Sequence, residues 1–182
     1  MAKSTTNREI CLLGLMTALL CVISPFSIPL LGMVPISLCT LIIYLITYLL
    51  GTRRAFICCA VYLVIGCVGL PVFSGFSGGF AKLLGPTGGY MIGYFAIVLF
   101  QGELAKRFSN SVLSNLIGMT LGTAVCYALG TTWLCFVQKI GFISGLFAGV
   151  IPFLTGDIIK IAAVCIIAPS ILRRLRSAGL LP

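Results

Sequence analysis

Histidine is missing from the sequence altogether, and only three of its 182 residues are acidic. Without histidine the chain lacks the commonest metal ligand and the general base best matched to neutral pH. Glu9, Glu103 and Asp157 are scattered, so they form no paired-carboxylate site, and no serine or cysteine triad can be assembled around a histidine that is not there. The phosphate-cradling pattern G-x-x-x-x-G-K-[ST] is absent, as is any Gly-Lys dipeptide, which excludes nucleotide hydrolysis through a P-loop. Nine cysteines are present, but no C-x-x-C pair occurs and nearly all lie in apolar runs, where cysteine behaves as a small hydrophobe. The chain is therefore read as non-catalytic, with no metal and no cofactor.

Charge is also scarce. Charged residues make up 8% of the chain and hydrophobic ones 60%, with mean hydropathy +1.20, whereas a soluble domain carries about 25% charged residues. That composition excludes an ordinary soluble globule. A helix crosses a bilayer with about 17 to 25 apolar residues, so 182 residues allow about six spans with short connections and no separate soluble domain. The net charge of +9, from 12 basic against 3 acidic residues, needs a reading of its own. The basic residues sit in short clusters between apolar runs, with no aromatic interleaving and no basic face, which excludes nucleic-acid binding and matches the charge bias that orients membrane proteins.

The expected architecture is an all-α integral membrane protein. It is a six-transmembrane-helix bundle forming one domain over residues 1–182, with spans at about 10–24, 35–50, 55–70, 86–102, 112–137 and 152–172. Pro35 and Pro152 suit the first turn of a helix, while Pro25 and Pro29 end or kink the first span. Alternating the connections puts Lys3, Arg8, Arg53, Arg54, Lys106, Arg107, Arg173, Arg174 and Arg176 on one side, against Lys82 and Lys139 on the other. This asymmetry places both termini in the cytoplasm, and an even number of spans agrees. Glu9 and Glu103 fall at cytoplasmic helix ends, where solvation is expected.

Small residues recur four apart at Gly14 and Ala18, at Gly85, Gly89 and Gly93, at Gly118 and Gly122, and at Gly141, Gly145 and Gly149. Such spacing lets helices approach closely in lipid. Packing within the bundle is the plain explanation, and for Gly14 and Ala18 the rival is a docking surface for another membrane subunit.

Two features point to a ligand. Asp157 lies in the last span with Lys160 three residues on, so the two share a helix face. A charge at the centre of a spanning helix costs about 2.5 to 3.5 kcal/mol, which makes such residues functional candidates, with a structural ion pair as the alternative. The second feature is the segment GLPVFSGFSGG (69–79) continuing to LGPTGGY (84–90). Its glycines allow unusual backbone angles and close approach to a ligand, and Phe73, Phe76 and Tyr90 could wall an apolar pocket. A glycine-rich turn joining two spans is the plainer reading.

Three stretches, VPISLCT (34–40), residues 69–90 and PFLTGDIIK (152–160), make the sequence resemble the BioY family over nearly its whole length. These are the biotin-specific substrate-binding components of energy-coupling factor importers. The resemblance implies a six-helix bundle in a prokaryotic cell membrane that captures biotin from outside. It also implies partners, namely a membrane coupling subunit and two cytoplasmic ATPases. Asp157 and Lys160 look like the family's ligand-contacting pair, with Phe73 and Tyr90 packing on the ligand and Gly79 and Thr87 completing the candidate substrate-binding set. Gly14 and Ala18 match the spacing by which such components dock their coupling subunit. Cys39 departs from the pattern, since glutamine is commoner there in the family, and any polar contact at that position is weakened or absent. A binding subunit for another vitamin, or a scaffold whose Asp157 and Lys160 only pair with each other, are the alternatives.

Overall fold

Each apolar run folds as helix, with boundaries set by proline, glycine and charge. A computed structural model describes residues 7–28 and 36–179; Lys3, Pro29, Val34 and Pro35 lie outside the described residues. The described chain runs α1 (Asn7–Ile23), β1 (Ser27–Ile28), β2 (Ile36–Ser37), α2 (Cys39–Cys67), α3 (Phe80–Leu84), α4 (Gly88–Arg107), α5 (Val112–Gln138), α6 (Phe142–Gly149) and α7 (Ile151–Ser177). It is all-α apart from an antiparallel ribbon of two residues a side, Ser27 opposite Ser37 and Ile28 opposite Ile36. α1 stops two residues before Pro25, whose ring disfavours helix in the residue before it. Pro152 occupies the first turn of α7, where a missing N–H costs nothing.

Three helices are long and apolar enough to cross a membrane: α2, α5 and α7. α2 is not straight. Gly51 has φ 75° and ψ 177°, a conformation essentially reserved for glycine. A straight helix rising 1.5 Å per residue would hold Cys39 and Tyr62 about 35 Å apart, yet Cys39 Sγ lies 3.8 Å from the Tyr62 hydroxyl. The second and third apolar runs are thus the two limbs of a hairpin turned at Gly51.

α4 and α5 pack face to face through their small residues. A methyl group on Gly93 would fall 2.7 Å from Cys126 Sγ, one on Gly118 2.5 Å from Gln101 Cα, and one on Gly122 2.6 Å from Ile97 Cα. Those ladders are consumed inside the bundle, as the plain explanation expects. Gly14 differs: a methyl there would meet nothing within 4 Å, and Gly14 and Ala18 are both exposed on α1. Behind the α4–α5 seam, buried Gln101 donates through Nε2 to Tyr44 O at 3.0 Å and to Asn115 Oδ1 at 3.1 Å, which ties the hairpin to both helices.

The described basic residues segregate. Arg53 and Arg54 at the α2 turn, Lys106 near the end of α4 and Arg176 near the end of α7 surround one cavity, whereas Lys82 in α3 and Lys139 at the C-cap of α5 lie toward the opposite end. The two carboxylates at the basic end are not simply solvated. Glu9 forms an ion pair with Arg54, and Glu103 accepts from Thr52 Oγ1 at 3.0 Å.

Candidate functional site

The last helix positions the two central groups. At i and i+3 on α7, Asp157 and Lys160 turn into the bundle, 6% and 8% exposed, with Lys160 Nζ donating to Asp157 Oδ1 at 2.9 Å. Lys160 Nζ also donates to the Ser37 carbonyl at 2.7 Å and to Thr40 Oγ1 at 3.1 Å. An ammonium has three hydrogens, and all three are engaged. Asp157 accepts a second bond from the Tyr127 hydroxyl of α5 and a longer one from Thr40 Oγ1 at 3.4 Å. The pair therefore joins α7 to α5 and to the start of α2. Ser37 is held there by the ribbon and by a bond from Ser37 Oγ to Ser24 O, 3.0 Å long, which tie the residues just before α2 to the end of α1.

Beside this pair lies a cavity of about 60 Å³. Tyr90, Tyr94, Tyr127 and Phe153 give it aromatic walls, and Ser37, Thr40, Thr123, Asp157 and Lys160 supply its polar atoms. Tyr90 is held by glycine on two sides. A methyl group on Gly130 would lie 2.2 Å from the Tyr90 ring, and one on Gly149 2.0 Å from the Tyr90 hydroxyl. That hydroxyl donates to Gly149 O at 3.1 Å and lies 3.2 Å from Thr131 Oγ1, which fixes the ring at the cavity edge.

The structure thus brings together Asp157, Lys160 and Tyr90. Phe73, Gly79 and Thr87 stand outside the cavity lining in this conformation. Phe73 is buried edge-on against Tyr62, with ring centroids 5.6 Å apart, and fills the space left by the missing side chain of Gly66. It pegs the loop after α2 to the bundle. Gly79, at φ 95°, donates its amide to Gly66 O at 2.7 Å and opens α3. Thr87 is buried at the N-cap of α4, where its carbonyl accepts from the amide of Tyr90 at 3.1 Å, so it acts on the cavity through backbone. Phe76 is exposed and meets Phe26 edge-on with centroids 5.5 Å apart. Cys39 is buried beside Tyr62 and does not line the cavity.

Tyr127, Tyr94, Thr40 and Ser37 are among the lining residues that sequence reasoning passed over. Thr40 and Ser37 belong to the stretch 34–40, so a signal was there. Tyr127 is a hydroxyl-bearing ring inside a long apolar run, and a buried tyrosine hydroxyl needs a partner, which was the clue available.

Chemically, the site offers a carboxylate that accepts and an ammonium that donates, side by side against aromatic faces. A ligand must replace the bonds these groups now make, since a buried charge left unpaired is costly. Among the described residues no cluster of three or more histidine, cysteine or acidic side chains could hold a metal ion.

Comparison with known proteins shows the family and the fold. The model of the BioY family matches residues 1–177. The probable biotin transporter BioY of Pyrococcus horikoshii is 38% identical over 161 residues, covering 88% of this chain and 94% of that protein. The biotin transporter BioY of Thermotoga maritima is 36% identical over 162 residues, covering 88% and 94%. The crystal structure of the S-component for biotin from an ECF-type ABC transporter superposes with a TM-score of 0.84 at 28% identity, covering 97% of this chain and 95% of that one. The chain belongs to the BioY family.

Proposed function

We propose that this chain is the biotin-binding membrane subunit of a prokaryotic uptake transporter, without catalytic activity of its own. It lies in the cell membrane as one six-span domain with both termini in the cytoplasm. A membrane coupling subunit and two cytoplasmic ATPases supply the energy that its own sequence has no motif to provide. Relatives named as biotin transporters, a structural neighbour described as the S-component of an ECF-type ABC transporter, and basic residues gathered at one end of the helices support this reading.

The observation that carries it is the buried Asp157–Lys160 pair facing an aromatic cavity. Biotin's ureido ring offers two N–H donors and one carbonyl acceptor. Asp157 accepts from the N–H groups and Lys160 donates to a ligand oxygen, each bond charge-assisted, while Tyr90, Tyr94 and Tyr127 pack on the bicyclic body. A cavity of about 60 Å³ holds on the order of two waters, and ligand cavities run to about 300 Å³ or more. Loading therefore requires the cavity to widen. The bond from Lys160 to Ser37 O is the one to break, because it joins the ligand-holding helix to the residues just before α2. Phe73, Gly79 and Thr87 belong to the site as supports of its walls. Gly14 and Ala18, open on α1, are the face that meets the coupling subunit.

Binding of radiolabelled biotin to the purified, detergent-solubilised chain tests the reading. Unlabelled biotin displaces the label and thiamine or riboflavin does not; displacement by another vitamin in preference to biotin would reassign the substrate.

A further inference from the structure

A second and larger cavity, of about 630 Å³, opens at the basic end of the bundle, roughly 20 Å along α7 from the Asp157–Lys160 pair. α1, both limbs of α2, α4 and α7 all contribute to it. Four basic side chains line it, Arg53, Arg54, Lys106 and Arg176, against the two carboxylates Glu9 and Glu103. Both carboxylates are engaged: Glu9 by Arg54, and Glu103 by Thr52 Oγ1, with Lys106 Nζ at 4.0 Å. Arg53 has no ion-pair partner among the described residues, and its side chain is exposed at the cavity. Arg53 is thus the exposed positive charge that the cavity presents, next to a loosely held Lys106 whose Nζ stands 4.0 Å from Glu103. Leu13, Leu49, Leu50, Ile57 and Leu172 give it an apolar side, beside the polar groups of Thr47, Thr52 and Asn110.

Positive charge above an apolar wall, at the end of a helix bundle, matches an amphiphile with an anionic head. We propose that this cavity holds the phosphate headgroup of an anionic phospholipid. Arg53 and Lys106 contact the phosphate, and the acyl chains descend past Leu13 and Ile57. Guanidinium and ammonium groups both bind phosphate oxygens through charge-assisted bonds, and basic pockets between spanning helices on the cytoplasmic side are a recognised form of lipid site. A free phosphate would use the charge and leave the apolar wall unused. The inference rests on the membrane setting given above but not on biotin being the ligand.

The test uses the full-length protein purified in a neutral detergent, with phosphatidylglycerol, phosphatidylcholine or inorganic phosphate added at matched phosphate concentration. Phosphatidylglycerol raises the Tm by about 4 °C over phosphatidylcholine, since a ligand of the folded state stabilises it, and inorganic phosphate leaves it unchanged. The variant R53Q/K106Q loses that difference and keeps biotin binding, so failure here is separable from failure of the biotin reading. Should the double variant not fold, R53Q alone loses about half of the shift, because it removes one of the two phosphate contacts at an exposed side chain with no ion pair among the described residues. Equal stabilisation by phosphatidylcholine, or an undiminished shift in the variants, overturns the proposal. So does an equal effect of inorganic phosphate, which would mark an anion site with no role for lipid. Loss of coupling-subunit co-purification in R53Q without any lipid effect would assign the cavity to protein docking instead.

Discussion

Removing one charge of the Asp157–Lys160 pair separates a ligand site from a structural clasp. Both residues are nearly out of solvent, and the ammonium's three hydrogens go to Asp157, Ser37 and Thr40. D157N leaves that ammonium buried with only neutral acceptors, and K160M leaves the carboxylate with hydroxyl donors alone. Breaking a buried pair in this way costs about 3 to 5 kcal/mol, whereas deleting both charges is often neutral. For a chain of this length about 1 kcal/mol corresponds to a Tm change of about 2 to 4 °C, so each single variant falls by on the order of 10 °C and D157N/K160M recovers most of the loss. Biotin affinity behaves differently. Asp157 makes charge-assisted bonds to the ureido group, each worth about 1.5 to 3 kcal/mol, so D157N weakens binding by on the order of 100-fold. The double variant stays weak although it is stable. Thermal unfolding and biotin titration on the same four preparations read both quantities. A double variant that regains stability and biotin affinity together would refute the site and leave the pair as a structural clasp.

Three further outcomes are expected. G130A drives a methyl group into the space of the Tyr90 ring, 2.2 Å away, and lowers biotin affinity more than Y90F does, as titration of the two variants will show. Q101L removes the bonds to Tyr44 O and Asn115 Oδ1 at a fully buried position, costing about 1 to 3 kcal/mol, so the Tm falls by several degrees while biotin affinity stays within twofold. G14L places a side chain where nothing lies within 4 Å, so biotin binding by the isolated chain is unchanged and co-purification with the coupling subunit is lost.

Helix positions were legible because lipid leaves helices few alternatives. The run expected at 112–137 is α5 (Val112–Gln138), and that at 10–24 is α1 (Asn7–Ile23). The ends drifted where hydropathy stops before the helix does: α4 continues to Arg107 and α7 to Ser177, with charged side chains on their last turns. α3 and α6 were missed because five and eight residues are too short to register as apolar runs. Asp157 and Lys160 could be paired from their spacing alone, since one helix sets their geometry. Tyr127 lies thirty positions from Asp157 and Ser37 more than a hundred from Lys160, so only tertiary packing joins them. Phe73 illustrates the converse. An aromatic in a glycine-rich loop suggested a ligand wall, but Gly66 leaves it a ready-made socket and it is buried there.

An experimental structure of the biotin complex tests the central claim most directly. The account predicts the ureido nitrogens within about 3.2 Å of the Asp157 carboxylate, Lys160 Nζ released from Ser37 O, and the bicyclic ring against Tyr90. Biotin bound elsewhere, with the Asp157–Lys160–Ser37 contacts intact, would contradict it.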